Sequence, residues 1–463
     1  MTKQFHVSAL ALAISCGWAM PALAQSGSSA AVQQELAVMR AQMAQMAARI
    51  DTLEGQLTAA QAKADAASAA VAAIPAQPAP TVSAKPATEI TWDGAPKLST
   101  REGWSFKVRG RAQFDVAGVD APDSIAARKS LGFAARLRRA RLGVDGAVPG
   151  GFGYRAEVEF GNSDVVLNDV YLTYKASPRL LLMLGHQKIF QSLEEQGSNL
   201  NTSFMERAAF NGAFNNERRL GLSAAYTGDL VMVQGGVFTD SAVDLNVDSN
   251  NSYSLDGRIV LMPKLGGGQL HLGASAHYND FNDAASSVRY RVRPFVRTTD
   301  LRLIDTGAID ATGERRFGAE FAYIRGRFHA TVESQWITPM RPAGLASPTF
   351  NGGFAEVGYL LTDDAVAYKN GTYERIRPKR PVAKGGIGAI QVNLRYDWLS
   401  LNSGAILGGR QQIAAASLVW IPDDHVRFIL NYGHLWLDDA AVPAGTDTDY
   451  TANALGLRAQ FDF

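Results

Sequence analysis

From residue 104 to the C-terminus, apolar and polar side chains alternate along the chain in one segment after another. In the first segment, one face is apolar and the other is charged or polar. The apolar face carries Trp104, Phe106, Val108, Phe114 and Val116, and the polar face carries Lys107, Arg109, Arg111, Gln113 and Asp115. A period of two indicates β-strands, and segments of this length suit strands that cross a bilayer with their apolar side chains toward lipid. The pattern therefore predicts an all-β transmembrane barrel with a wet, charged interior.

The number of strands follows from the segments and from the connections between them. Sixteen segments are assigned as antiparallel strands, and a seventeenth candidate, Val288–Val296, is placed in a loop because bacterial barrels have an even number. A soluble sandwich also alternates, but here tight turns such as Pro149–Gly151 alternate with long loops, which is typical of outer-membrane barrels. Segment 363–386 fits this scheme poorly, because its parity places it on the short-turn side although it is long and basic.

A long loop lies between Gly185 and Leu220 and has no clear period of its own. Connections of this length in compact domains are usually functional or disordered. This loop carries phenylalanines that can pack, together with both acidic and basic side chains, and this composition favours an ordered segment. We expect it to fold into the barrel and narrow the lumen to a charged constriction. The alternative is an ordinary surface loop.

The N-terminus has the features of an export signal. Lys3 precedes a short apolar run, and Ala22-Leu23-Ala24 matches a cleavage site, so residues 1–24 are predicted to be a signal peptide. A retained transmembrane helix would need about 20 apolar residues, and a lipoprotein site at Cys16 lacks the usual preceding leucine. The segment therefore predicts export to the cell envelope.

Residues 25–74 form the next predicted domain, a helix with apolar side chains at alternating spacings of three and four. Such a heptad, held from about residue 32 to 74, predicts a coiled coil, and the alternative is an isolated solvated helix. Residues 75–103 are rich in proline and alanine and predict an extended linker. Residues 104–463 form the predicted barrel domain.

Composition excludes several classes of function. The formal net charge of +1 gives no general signal for nucleic-acid binding. The only cysteine, Cys16, lies in the predicted signal peptide, so the mature chain has no thiol for catalysis or metal binding. The histidines show no metal-ligand spacing, and no nucleophile motif or phosphate-binding glycine loop occurs. We therefore expect no cofactor, no metal site and no catalytic residue, and a barrel hydrolase or protease is the enzyme alternative.

Strand parity selects candidate pore-lining residues. It places Lys107, Arg109, Arg111, Arg139 and Arg141 on the lumen face, whereas Arg138 has the opposite parity unless it lies above the bilayer or beside a bulge. Arginine suits phosphate because its planar fork donates two hydrogen bonds to two oxygens. The alternative is that these arginines pair with wall carboxylates such as Glu157 and Glu159.

Several motifs resemble those of the phosphate-selective porins of the O and P type, over about residues 104–463. They are RRA at Arg138–Ala140, SLEE at Ser192–Glu195, FMER at Phe204–Arg207, RRLGL at 218–222 and RRFGAEFAYIRGRF at 315–328. The resemblance implies a homotrimer of sixteen-stranded barrels, an inward third loop and an arginine-lined lumen for anions. In such porins the inward loop offers a serine pair and an arginine at the constriction. Ser198 and Arg207 match two of these positions, and Asn199 replaces the second serine but can still donate hydrogen bonds to an oxyanion.

These observations together predict an outer-membrane porin of a Gram-negative cell, with its coiled coil in the periplasm and with membrane lipids and small anions such as phosphate as its partners. The predicted anion-binding and pore-lining residues are Lys107, Arg109, Arg111, Arg139, Arg141, Lys188, Ser198, Asn199, Arg207, Arg218 and Arg219. Two other functions stay open: a general porin or one for another substrate, and a structural envelope anchor with little channel activity.

Overall fold

The computed structural model describes residues 29–72, 88–126, 130–161, 165–215, 218–242, 252–282 and 286–463. The predicted signal peptide, residues 1–24, lies outside the described residues. The chain divides into two compact units, residues 1–84 and 85–463. None of the described helices combines the length and apolar character that crossing a membrane requires.

The first unit contains one long helix, α1 (Ser29–Ala72). This confirms the predicted helix, and its pairing as a coiled coil stays a prediction. The predicted heptad seam is open to solvent on the single chain, with Met43, Met46, Ile50, Leu53 and Leu57 between 55% and 65% exposed.

The second unit is built from strands and two short helices, α2 (Leu193–Gln196) and α3 (Ala209–Ala213). In chain order the strands are β1 (Thr88–Asp93), β2 (Ala95–Thr100), β3 (Ser105–Asp120), β4 (Ala134–Val148), β5 (Phe152–Glu159), β6 (Val166–Lys175), β7 (Leu180–Lys188), β8 (Arg218–Thr227), β9 (Val231–Phe238), β10 (Tyr253–Leu261), β11 (Lys264–Leu265), β12 (Gly268–Asp280), β13 (Ser287–Val288), β14 (Arg291–Val292), β15 (Ile304–Asp305), β16 (Ile309–Asp310), β17 (Gly313–Arg325), β18 (Phe328–Met340), β19 (Phe350–Leu360), β20 (Ala367–Lys369), β21 (Thr372–Glu374), β22 (Ala389–Ser403), β23 (Ile406–Asp423), β24 (Val426–Asp438) and β25 (Tyr450–Asp462). A 3-10 turn follows β21 at Val382–Lys384.

Sixteen of these strands close a barrel: β3–β10, β12, β17–β19 and β22–β25. Each pairs antiparallel with its neighbour, and β25 pairs with β3 from Asn453 opposite Asp120 to Asp462 opposite Arg111. Closure satisfies the backbone hydrogen bonds that lipid could not. The predicted sixteen-stranded barrel is confirmed. Segment Val288–Val296 lies in the connection between β12 and β17, as predicted.

The barrel wall follows the predicted alternation. On β22, Leu394 points outward and is 62% exposed, whereas its neighbours Asn393 and Arg395 point inward and are at most 5% exposed. Part of the lumen holds an apolar core made by loops that fold inward, including Phe204, Phe210 and Phe295. The open lumen is therefore much narrower than the barrel.

The second half of the predicted linker is a β-hairpin rather than an extended spacer. Strands β1 and β2 pair with each other, and β2 pairs with the start of β3, where Leu98 lies opposite Phe106. This is possible because β25 covers β3 only from Arg111 onward, with a last backbone contact between Phe463 and Gly110. The first residues of β3, before Gly110, therefore have a free edge that pairs with β2.

The basic segment 363–386, which fits the predicted alternation of turns and loops poorly, folds into the barrel from the end that carries the short turns. Its hairpin, β20 and β21, is held by two tyrosine hydroxyls: Tyr368 contacts His271 Nδ1 at 2.6 Å, and Tyr373 contacts Thr331 Oγ1 at 2.6 Å. Strand parity correctly predicts that this connection lies at the short-turn end of the barrel, but the sequence pattern does not predict that it folds into the lumen. We refer to residues 361–388 as the turn-side insertion.

Candidate pore constriction

The loop between β7 and β8, described from 189 to 215, crosses the lumen. Its backbone is hydrogen-bonded by wall side chains: Ala209 N donates to Asp397 Oδ2 at 2.8 Å, and Met205 N donates to Asn431 Oδ1 at 3.1 Å. Arg427 Nη2 donates to the carbonyl of Thr202 at 2.7 Å. These contacts confirm the inward fold and exclude an ordinary surface loop. We call this segment the inward loop.

One side of the inward loop is sealed by aromatic packing. Phe210 stacks on the wall residue Phe354 at 6.4 Å between ring centroids. Phe204 and Phe214 meet Phe295 and Tyr290, which belong to the connection 281–312. That connection is a second inward segment, described except for 283–285, and the sequence pattern does not predict its direction. Since this half is filled, the open path runs along the other half of the barrel.

The open path contains a cavity of 510 Å³ between strands β3–β9 and the inward loop, which we call the pore cavity. It brings together nine of the eleven predicted site residues: Arg109, Arg111, Arg139, Arg141, Lys188, Ser198, Asn199, Arg207 and Arg218. Arg138 and Arg155 also line it, giving nine cationic side chains against four carboxylates, Glu157, Glu159, Asp169 and Glu195, a formal excess of five positive charges.

Two predicted residues lie elsewhere. Lys107 reaches the β1–β2 hairpin, where its Nζ donates to the carbonyl of Asp93 at 2.8 Å. Arg219 lies farther along β8, where its Nη1 donates to Ser252 Oγ at 3.3 Å. Neither side chain lines the pore cavity. Lys107 has the same parity as Arg109 and Arg111, so parity does not predict its separation from them. Arg219 directly follows Arg218 on β8 and has the opposite parity, and Arg218 is the one that lines the cavity.

Arg138 reaches the cavity because of a β-bulge. The register between β3 and β4 shifts between Gln113 and Phe114, so that Arg139 faces Gln113 while Leu137 faces Phe114. A bulge re-aims side chains locally, and it turns Arg138 inward against its sequence parity. Its Nε and Nη2 bind the two oxygens of Glu206 at 2.7 and 3.0 Å.

Most of the wall arginines in the cavity are paired. Arg141 binds Glu157 at 3.0 Å and Glu159 at 2.6 Å, and Arg111 shares Glu157 at 2.9 Å. Arg218 binds Asp169 at 2.6 Å. The interpretation that lumen arginines hold the barrel wall therefore applies to these residues.

Arg139 differs from them. It is only 8% exposed, and among the described residues no carboxylate lies within 4.0 Å of its guanidinium. Its Nη1 donates to the neutral side chain of Gln113 at 2.7 Å. A buried cation without a paired anion is costly, so Arg139 offers an unneutralised charge to a solute. It lines both the pore cavity and a smaller cavity of 80 Å³ that reaches the second inward segment.

Arg207, the predicted constriction arginine, is a clamp of the inward loop. Its Nε donates to the carbonyl of Glu194 at 3.0 Å, and its Nη2 donates to that of Gly197 at 3.1 Å. Its Nη1 pairs with Glu195 Oε2 at 2.8 Å. Lys188 Nζ donates to the same Gly197 carbonyl at 3.0 Å. All three guanidinium nitrogens are engaged, so the geometry favours a role in holding the loop.

Ser198 and Asn199 line the cavity beside this clamp. Asn199 Oδ1 accepts a hydrogen bond from Arg111 Nη1 at 2.8 Å. This orientation leaves the amide NH₂ of Asn199 as a donor, which is the polarity that an oxyanion needs.

Glu206 is a residue that the sequence interpretation does not select. Besides Arg138, it binds Arg458 Nη2 at 2.8 Å and lies 3.4 Å from Arg297 Nε. Burial raises the pKa of this carboxyl, but Arg138 and Arg458 outweigh burial and hold its pKa well below the usual range. Glu206 thereby joins the inward loop, two wall strands and the second inward segment.

Within the described residues, no group of three or more acidic, histidine or cysteine side chains could hold a metal ion.

Comparison with known proteins gives three kinds of similarity. The family described as Phosphate-selective porin O and P matches residues 106–463. An uncharacterized protein of Caulobacter vibrioides is 43% identical over 452 residues, which cover 94% of this chain and 90% of that protein. Porin O of Pseudomonas aeruginosa is 26% identical over 342 residues, covering 66% of this chain and 75% of the relative.

Solved structures show the same fold at low identity. Outer-membrane OmpT of Vibrio cholerae superimposes with a TM-score of 0.51 at 13% identity, covering 81% of this chain and all of OmpT. An anion-selective porin from Comamonas acidovorans superimposes with a TM-score of 0.50 at 14% identity, covering 78% of this chain and all of that porin.

Proposed function

Because the chain belongs to the phosphate-selective porin O and P family, we propose that this outer-membrane porin is an anion-selective channel that prefers phosphate. The observation that carries the proposal is the lining of the pore cavity, where nine cationic side chains face four carboxylates. Fixed charge of one sign in a narrow pore raises the local concentration of the opposite ion. The family is described as phosphate-selective, and the porin of similar fold from Comamonas acidovorans is anion-selective, so both support this proposal.

Arg139 is the proposed principal anion ligand. It is the cavity arginine that faces no carboxylate among the described residues, and it lies where the pore cavity and the smaller cavity meet. Its planar fork can donate two hydrogen bonds to a phosphate oxyanion. The Asn199 amide and the Ser198 hydroxyl line the same cavity and add donors. A few sites of this kind in series let an ion bind and leave again.

Block of chloride current by phosphate tests the preference. Full-length protein in a planar bilayer should conduct chloride, and added phosphate should lower that current in a saturable manner. Sulfate at equal charge concentration is the matched control, because it removes the effect of ionic strength. Equal block by sulfate and phosphate would reduce the proposal to a general anion porin, and absence of chloride current would favour the structural anchor.

The same membership supports a homotrimer, and OmpT of Vibrio cholerae has been solved in a trimer form. In this chain the exposed seam of α1 offers a further contact between subunits, because Met43, Ile50 and Leu57 are each at least 55% exposed on the single chain. Apolar side chains at heptad spacing associate as coiled coils. We place this coiled coil in the periplasm, beyond the predicted signal peptide.

Deleting residues 29–72 should leave a folded, membrane-inserted barrel, because the barrel closes its own hydrogen bonds from β3 to β25. The variant should still shift in gel mobility on heating, whereas its trimer should dissociate at a lower detergent concentration or temperature than the full-length trimer. Native mass spectrometry of both proteins in mild detergent measures this difference. A full-length protein that is monomeric at every concentration would contradict the trimer.

A further inference from the structure

Behind the inward loop lies a third cavity, of 50 Å³, which we call the side pocket. Its walls come from β18, β19 and β22, from the inward loop and from the turn-side insertion. Ser198 lines both the side pocket and the pore cavity, so the two spaces are neighbours across this residue.

The side pocket has the opposite charge to the pore cavity. It is lined by four carboxylates, Glu194, Glu333, Glu356 and Glu374, and by one arginine, Arg395. Arg395 is shared, since its Nη2 lies 2.6 Å from Glu194 and 2.5 Å from Glu356. His329 also lines the pocket, with its Nε2 3.0 Å from Glu356 Oε1. Glu333 and Glu374 have no ion-pair partner among the described residues, so the lining holds more carboxyl groups than cationic groups to pair with them.

Glu333 is the residue that marks the pocket as a binding site. Its side chain is 1% exposed, and its Oε1 accepts a hydrogen bond from the backbone N–H of Glu194 at 2.9 Å. Its Oε2 is buried with no hydrogen-bond partner among the described residues. Buried polar groups are nearly always hydrogen-bonded. Burial beside other carboxyl groups disfavours the ionised form of Glu333, and a bound cation that donates to Oε2 would stabilise that form.

The walls also suit a cation that carries carbon. Tyr373 lines the pocket, and aromatic faces attract ammonium and guanidinium groups. Phe354 also lines it, but its ring is already packed against Phe210 and Arg395. This wall already holds one such group, because the Arg395 guanidinium lies 4.5 Å from the centroid of Phe354. The volume of 50 Å³ suits a group about as large as methylammonium rather than a bulky quaternary amine.

We propose that the side pocket binds an ammonium group, with Glu333 Oε2 as its acceptor. The group is either a small free alkylammonium ion or the amine end of a zwitterionic phosphate whose phosphate occupies the pore cavity. The second form rests on the proposed anion channel, and it extends the substrate class from phosphate to aminoalkyl phosphates. Neighbouring basic and acidic sites on the two sides of Ser198 match the two ends of such a solute.

Phosphate, ethyl phosphate and phosphoethanolamine are the three blockers that test the zwitterion. Ethyl phosphate has nearly the size of phosphoethanolamine but lacks its amine. In the wild-type channel, phosphoethanolamine should block chloride current about tenfold more tightly than ethyl phosphate, as expected for one charge-assisted hydrogen bond. Glu333→Gln should remove this advantage and leave block by phosphate unchanged. Glu102→Gln, at an exposed position of a short turn, is the control and should behave as wild type.

Methylammonium chloride distinguishes the free cation. It should raise the temperature of the heat-induced gel shift of the wild-type protein but not of Glu333→Gln, and tetramethylammonium should have no effect on either because it is too large and cannot donate. Stabilisation by methylammonium without an advantage of phosphoethanolamine assigns the pocket to free cations. Equal block by the two alkyl phosphates together with no effect of methylammonium would overturn the inference. If phosphate itself fails to block, the proposed function fails, while the methylammonium result still decides the pocket.

Discussion

Replacing Arg139 by glutamine is expected to weaken phosphate block of chloride current by about tenfold to a hundredfold, the range for losing hydrogen bonds to a charged group. The side chain is 8% exposed and faces Gln113 rather than a carboxylate, so its charge is available to a solute in a poorly hydrated site. Glutamine preserves much of the volume and can still bond to Gln113. The measurement is the inhibition constant of phosphate in single-channel recordings.

Two further variants sharpen this test. Arg139→Lys should restore the charge but only part of the affinity, because the two-pronged geometry is lost. Arg179→Gln is the matched control, since Arg179 pairs with Asp229 at 3.0 Å in an exposed turn at the opposite end of β7 from the cavity residue Lys188. A phosphate inhibition constant that is the same in Arg139→Gln and wild type would place the binding site on another residue.

Replacing Arg207 by alanine is expected to loosen the constriction for all ions alike. The substitution removes the hydrogen bonds to the carbonyls of Glu194 and Gly197 and leaves Glu195 without its closest cation. The turn after α2 should then fluctuate, so chloride conductance and current noise should both rise. The phosphate inhibition constant should change less than it does in Arg139→Gln.

Arg207→Lys provides the graded control. A lysine ammonium can restore the charge beside Glu195 but cannot reproduce the fixed fork that meets two carbonyls, so noise should fall between that of alanine and wild type. A quiet Arg207→Ala channel of wild-type conductance that no longer responds to phosphate would contradict the clamp and restore Arg207 as the binding residue.

The fold could be predicted because its main signal is local. A period of two over many segments determines which faces of the strands meet lipid, and closure then requires an even number of strands. The sequence also favours an ordered, inward loop between Gly185 and Leu220, because the loop is long and carries phenylalanines that can pack. The contacts of its backbone with wall side chains are what exclude a surface loop. These inferences depend on side-chain pattern and not on register.

Whether a lumen arginine is paired with a carboxylate depends on the register between strands, which the alternating sequence pattern does not give. Arg139 and Arg141 have the same parity, but they have different neighbours on β5. Arg141 lies opposite Glu159, which is the last residue of β5 that pairs with β4, so Arg139 lies beyond the end of this pairing. Beyond it Gly161 lies beside Arg139, where an added Cβ would come within 3.1 Å of the Arg139 Cα. A neighbour without a side chain cannot neutralise the arginine. The difference between a paired wall arginine and an available one therefore arises from where a strand ends.

Bulges and inward segments are the other features that parity misses. One extra residue in β4 reverses the direction of Arg138, and the turn-side insertion is held by the hydroxyls of Tyr368 and Tyr373, whose partners His271 and Thr331 are 97 and 42 residues away in sequence. Such long-range pairs leave no periodic trace in the chain.

The reversal potential of the wild-type channel under a salt gradient tests the central claim most directly. Full-length protein in a planar bilayer between concentrated and dilute potassium chloride should reverse at a potential of the sign set by chloride. Adding phosphate to both sides should reduce the chloride current without changing that sign. A reversal potential of the sign set by potassium would show cation preference and would contradict the assignment of the nine cationic residues of the pore cavity to anion passage.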